Sequence, residues 1–205
     1  MILALDHLAV SAGTLEAGAE WVEMVLGVPL AGGGKHPHMG THNRLLSLGD
    51  LYLEVIAIDP KAPKPAWPRW FDLDNFRGQP RLTNWICRTD NLDTTLAAAP
   101  RGTGTATDLA RGDYRWRFAV PATGKLPFDD CFPALIQWQG DLHPARTLRD
   151  HGVRLTRLEI THPQAAALQA ALGGPLADPR LHIGLGPYRS FRATFQTPNG
   201  IRVLT

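Results

Sequence analysis

The sequence predicts an α+β fold in which β-α-β-β-type modules repeat and their mixed sheets curl and pair. Three observations lead there. Strand-length apolar runs at residues 2–10, 81–88 and 153–161 are each followed by a helical pattern and then by further strands. The opening strands align without gaps as Leu5-Asp6-His7-Leu8, Leu82-Thr83-Asn84-Trp85 and Leu155-Thr156-Arg157-Leu158. The closing strands Leu53-Glu54-Val55, Ile136-Gln137-Trp138 and Val203-Leu204-Thr205 take matching places at the end of each round. A repeat of roughly 60–70 residues fits no helical solenoid period, and the strand-helix-strands order suits half-barrels in tandem.

Module one spans residues 1–58. Its first strand ends at Ser11-Ala12-Gly13, and Thr14 is placed to cap a helix whose apolar residues Leu15, Trp21, Val22, Val25 and Leu26 recur at helical spacing until Gly27. A glycine-rich turn, Ala31 to Pro37, leads to strands 43–48 and 51–58, which Gly49-Asp50 joins as a hairpin. The connector 59–80 carries five prolines with Trp67, Trp70, Phe71 and Phe76. It reads as a segment packed on the sheet by its aromatics, the other reading being a lid over a pocket. Module two, 81–138, has a strand at 81–88, a helix from Asn91 to Ala99, a strand at 114–120 with Tyr114, Trp116 and Phe118 on one face, and a strand at 133–138. After a connector at 139–152, module three, 153–205, repeats a strand at 153–161, an Ala/Leu helix at 164–172 closed by Gly173-Gly174, and strands near 190–196 and 201–204.

Composition narrows the function classes. The chain has 205 residues, 44% hydrophobic and 20% charged, enough to bury a sizeable core. A net charge of +2 with scattered arginines predicts no nucleic-acid partner, although the isoelectric point is near 8.7. Cys87 and Cys131 lack the spacing of a metal knuckle or redox pair and read as reduced packing residues. The opening residues have no basic region and meet a charge at Asp6, and no apolar run approaches the ~18 residues of a membrane span, so the expectation is a cytoplasmic protein with no membrane partner. Gly102-Thr103-Gly104 is not followed by Gly-Lys-Ser/Thr, so no nucleotide cofactor is expected. No Gly-x-Ser-x-Gly nucleophile motif is present.

His7 on the first strand and Glu54 on the last strand of module one are suitable ligands for Zn, Mn, Fe or Ni. The repeat places Asn84 and Gln137 at the corresponding positions of module two, so the set of four carries only one formal negative charge. His36 and Asn43 lie in and beside the glycine-rich turn, where turn structure and ligand contact are both open. His38 and His42 read as solvated. Trp85, Trp116 and Trp138 alternate on predicted strands, where they serve either the core or the wall of a pocket.

Asp6-His7, Leu26-Gly27-Val28, Gly33-Gly34-Lys35-His36-Pro37, Gly40-Thr41-His42-Asn43 and Tyr52-Leu53-Glu54 together resemble the glyoxalase-like domain proteins of the vicinal oxygen chelate superfamily. The likeness extends through Leu126-Pro127-Phe128 and Ile136-Gln137-Trp138, and so covers the first two modules. It implies paired βαβββ modules whose curled sheets enclose a cup, with a divalent metal held by His7, Glu54, Asn84 and Gln137 and with Glu54 as the catalytic proton shuttle. It further implies a small oxygenated ligand, for which His36, Asn43, Trp85 and Trp138 are the expected contacts on this chain. The reaction would be a metal-dependent lyase, isomerase or dioxygenase step. The alternative is metal-free binding or sequestration of a small ligand in the same cup. A homodimer is among the expected partners.

Overall fold

The computed structural model describes residues 3–174 and 176–205, so Ile2 of the first predicted strand lies outside the described residues. Module one forms β1 (Ala4–Ser11), α1 (Leu15–Leu26), β2 (Lys35–His36), β3 (Thr41–Ser47) and β4 (Tyr52–Ile58). Module two repeats the order as β5 (Arg81–Arg88), α2 (Leu92–Ala98), β6 (Thr105–Arg111), β7 (Tyr114–Val120) and β8 (Ala134–Gln139). After a short helix, α3 (Pro144–Thr147), come β9 (Arg154–His162), α4 (Ala165–Ala171), β10 (Leu181–Leu185), β11 (Ser190–Thr197) and β12 (Gly200–Leu204).

Local chemistry sets several of these boundaries. Thr14 accepts a hydrogen bond from the Ala17 amide at 3.2 Å and Asn91 one from the Thr94 amide at 3.0 Å, so α1 and α2 each begin at a side-chain cap. Such a cap contributes about 1 kcal/mol. Gly27 ends α1 in the left-handed region at φ 71°, which costs glycine little. α1 buries Leu15, Gly18, Ala19, Val22 and Leu26. A Cβ at Gly18 would come within 2.6 Å of Val55, so the bare backbone is what lets this helix lie close to β4.

The first two modules share one eight-stranded sheet of order β2-β3-β4-β1-β5-β8-β7-β6, joined at its centre by the antiparallel β1–β5 pair. Within each module the first and last strands run parallel, β1 with β4 and β5 with β8. The sheet curls until its two ends approach, and Arg111 at the end of β6 donates to Asn43 Oδ1 on β3 at 2.9 Å across the gap. Residues of the central strands alternate between the two faces. Leu8, Val10, Leu53, Val55, Trp85 and Leu135 point outward into the larger core, which α1 and the third module cover. Ala9, Ile56, Ile86, Ala134 and Ile136 point inward and join Met39, Trp70, Phe71 and Phe118 in a second apolar cluster that fills part of the cup.

Module three keeps the element order and changes the pairing. Its sheet runs β10-β9-β11-β12, so β9 is an interior strand, parallel to β10 and antiparallel to β11, whereas β1 pairs with the last strand of its module. Leu155, Leu158, Phe191, Phe195 and Leu204 pack into the outer core, so this sheet backs the cup. The connector between modules one and two lies at the cup, with Trp70, Phe71, Leu73 and Phe76 buried. No helix among the described residues is long and apolar enough to cross a membrane.

Candidate functional site

The alternation of β1 breaks at Asp6. Leu5 pairs with Cys87 and His7 with Ile86, which leaves Asp6 as an extra residue in a β-bulge. A neighbour in a regular strand would point away from His7, whereas here the Asp6 carboxylate reaches His7 Nδ1 at 2.6 Å. The same device recurs in β5, where Ala9 pairs with Asn84 and Val10 with Leu82, leaving Thr83 extra. The two bulges make Asp6 equivalent to Thr83 and His7 equivalent to Asn84, the same match as the aligned tetrapeptides.

His7 opens onto a narrow cavity of about 30 Å³ whose polar wall is His7, His36, Asn43, Tyr52 and Glu54. Facing them are Trp116, Phe118, Ile136 and Trp138, with Trp70 and Phe71 of the connector completing the enclosure. His7 Nε2 lies 3.7 Å from Glu54 Oε2. Glu54 Oε1 accepts from Asn43 Nδ2 at 2.5 Å, and Asn43 Oδ1 accepts from the Gly34 amide and from Arg111, both at 2.9 Å. Tyr52 stacks on the His7 ring with centroids 4.2 Å apart.

Asp6 is fully buried and receives three side-chain donors: His7 Nδ1, His143 Nε2 at 3.0 Å and the Trp138 indole at 3.1 Å. Burial alone would raise its pKa, but the hydrogen bonds from His143 and His7 together outweigh burial and hold the carboxyl well below the usual range. Because His143 Nδ1 accepts from the Ala145 amide, its Nε2 is left to donate to Asp6. The bond to Asp6 likewise assigns the proton of His7 to Nδ1 and leaves Nε2 as the lone-pair atom facing the cavity. Burial pushes the His36 imidazole down to about 4; the Glu54 carboxylate opposes that shift and Arg111 adds to it. Burial, with Asp6 and Glu54 nearby, pushes the Tyr52 phenol well above its ordinary value.

His7, Glu54, His36, Asn43 and Trp138 therefore line one cavity, and the other three predicted site residues do not. Gln137 lies between Ile136 and Trp138 on the outer face, where it accepts from the Leu92 amide at 3.0 Å and donates to the Asp90 carbonyl at 2.9 Å, capping the start of α2. Strand register explains the error. Glu54 is opposite Ala9, and the equivalent residue of β5, Ile86, is opposite Ala134, so Ala134 holds the position assigned to Gln137. Trp85 pairs with Leu8 on the outer face, fully buried, and donates to the Cys131 carbonyl at 2.9 Å. Asn84 is on the cup face, buried beside Ala9 and Ile86 under the apolar filling, and its Nδ2 has no partner among the described residues. His38 is exposed and stacks on Trp67; His42 is half-buried with its Nε2 enclosed, so it is not solvated as expected. Sequence reasoning missed Asp6, Arg111 and His143. Only Asp6 carried a signal, its place beside His7 in the aligned tetrapeptide.

The expected metal set does not fit these residues. Among the described residues no three His, Cys, Asp or Glu side chains converge as ligands would. Glu54 is held by Asn43, Gln137 faces away, Asn84 is covered, and the wall opposite His7 offers no ligand atom.

A family model described as a glyoxalase-like domain matches residues 5–176. No curated protein matches the chain. Among solved structures, a hypothetical protein from Staphylococcus aureus aligns over 93% of this chain and 88% of its own at 13% identity, with a TM-score of 0.67. Methylmalonyl-CoA epimerase from Mycobacterium tuberculosis aligns over 67% of this chain and 88% of its own at 18% identity, with a TM-score of 0.44. A Streptomyces coelicolor methylmalonyl-CoA epimerase variant aligns over 69% of this chain and all of its own at 13% identity, also with a TM-score of 0.44. By the extent of the family match, the chain belongs to the glyoxalase-like domain family.

Proposed function

We propose that the cup binds a small, oxygen-bearing organic molecule without a metal ion, and that His7 Nε2 exchanges a proton with it. One observation carries this reading: a buried carboxylate, Asp6, orients His7 so that its lone-pair nitrogen faces an aromatic-walled cavity beside Glu54. A base must stand within hydrogen-bond reach of the proton it removes, and a fixed tautomer keeps it ready. Glu54, 3.7 Å away, accepts a ligand hydroxyl or shares the proton. The cavity is narrow, so Trp116, Phe118 and Trp138 must shift to admit the apolar body of the ligand, against which they then close and exclude water.

Phenylpyruvate and its methyl ester are suitable probes, because each pairs a flat apolar ring with a carbonyl and an adjacent acidic carbon. Titration of the untagged protein in excess chelator, followed by tryptophan fluorescence, is expected to show saturable quenching by at least one of them. Solvent-deuterium exchange at that carbon should run above background and fall to background in His7→Gln. Quenching or exchange that requires a stoichiometric divalent ion, or that His7→Gln leaves unchanged, would refute the proposal.

A further inference from the structure

Among the described residues, Arg111 is the only arginine or lysine lining the cavity. It is half-buried at the end of β6, just before the Gly112-Asp113 turn of the β6–β7 hairpin. Among the described residues no carboxylate lies within salt-bridge distance of it. Its single hydrogen bond goes from Nη1 to the neutral Asn43 Oδ1, and its guanidinium lies 5.5 Å from the Tyr114 ring centroid. A guanidinium carries five donors in a planar fork that matches a carboxylate. Four of those donors have no protein acceptor here.

Its position is as informative as its lack of a partner. β2 and β6 end the sheet without forming a ladder with each other, and Arg111 bridges that seam. Leu45 and Arg111 line both the cavity and a broad outer groove that includes Gly32, Tyr114, Leu142 and Leu148. The seam is therefore the boundary between cup and solvent, with a cation placed on it. The close fit is made possible at Gly34, where a Cβ would lie 2.4 Å from Arg111 Cδ.

Building on the proposed metal-free site, we infer that Arg111 recognises an anionic group, and that the ligand is a small organic monocarboxylate whose apolar body lies against Trp116 and Trp138. A dianion such as a phosphate monoester matches the site poorly, because Arg111 is the only fixed cation and the Glu54 carboxylate is two hydrogen bonds away through Asn43. His36 adds no second charge at neutral pH, since burial keeps it neutral.

The test compares phenylpyruvate, its methyl ester and phenyl phosphate by tryptophan quenching on the wild-type protein and on Arg111→Ala and Arg111→Lys. Phenylpyruvate should bind about tenfold or more tightly than the ester, as a charge-assisted pair allows. Arg111→Ala should weaken the acid far more than the ester and so abolish that difference, Arg111→Lys should keep part of it, and added salt should weaken the carboxylate more than the ester. Circular dichroism and thermal unfolding establish that the variants are folded. Equal binding of acid and ester, tighter binding of phenyl phosphate, or an Arg111→Ala effect common to acid and ester overturns the anion assignment and leaves the metal-free site standing. If no probe quenches saturably, both readings fall.

Discussion

Replacing Asp6 by asparagine tests the device on which the site rests. The carboxylate accepts from His7, His143 and Trp138 at 2.6, 3.0 and 3.1 Å while fully buried. Asparagine keeps the shape but offers one acceptor oxygen and turns an NH₂ toward a donor. A hydrogen bond to a charged group contributes about 1.5–3 kcal/mol, and a buried donor left unpaired costs about 1–3 kcal/mol, so the net loss should be about 2–4 kcal/mol. For a chain of this size that corresponds to a fall of roughly 4–16 °C in Tm.

The sign of the pH dependence follows from the direction of the shift. The folded Asp6 carboxyl is held below its ordinary value, because donation from His143 and His7 outweighs the opposing effect of burial. Its contribution is therefore complete above the unfolded carboxyl value near 4 and is lost as pH falls from there through the depressed folded value. Calorimetric unfolding of both proteins across the acid range should show the wild type losing more stability than Asp6→Asn below about pH 4. An Asp6→Asn protein with wild-type Tm at neutral pH, or with the same acid dependence as wild type, would refute the role assigned to Asp6.

Three further outcomes follow from single contacts. Gly33→Ala places a Cβ 1.7 Å from the Asn43 carbonyl oxygen and should lower stability in urea by about 3 kcal/mol, whereas Gly32→Ala, with nothing within 4 Å, should stay within about 0.5 kcal/mol of wild type. Equal midpoints would show that the turn yields freely. Cys87 and Cys131 are buried thiols, and burial pushes Cys87 well above its ordinary pKa and Cys131 up to about 11, so a thiol-specific colorimetric reagent should label neither until the protein unfolds. Rapid labelling of the native protein contradicts that. Arg180 bridges Asp178 and the largely exposed Asp50 of the β3–β4 turn, so Arg180→Ala should cost at most about 1 kcal/mol and less at high salt; a loss above about 2 kcal/mol would mean that solvent screens the bridge poorly.

Much of the fold was legible because its signals are local. Thr14, Gly27 and Asn91 mark helix ends by chemistry that acts within a few residues, and the strands at 81–88 and 114–120 occupy the positions that their patterns predict. β2, β6 and β10 were missed. β2 has two residues, and β6 and β10 are edge strands with little burial, so none carries a strong apolar alternation. The order of elements in module three was legible too, but its pairing was not, because register and neighbour depend on which distant strand offers a complementary edge.

The site shows the same division more sharply. Aligned tetrapeptides correctly matched His7 with Asn84, because both follow a bulged residue and a bulge leaves the sequence spacing of its own strand unchanged. The match of Glu54 with Gln137 failed, because it laid the two closing strands together by sequence pattern, while the sheet counts from the register with the parallel partner and gives Ala134. The two halves thus share a backbone device and divide the chemistry. Module one keeps Asp6, His7 and Glu54; at the equivalent positions module two has Thr83, Asn84 and Ala134, and it contributes Trp116 and Trp138 as a wall. A divalent ion needs three or more protein ligands, and among the described residues module two supplies none to the cavity wall. One polar wall facing one aromatic wall instead suits an unsymmetrical ligand, held by its apolar side while its oxygen-bearing side meets a single oriented base.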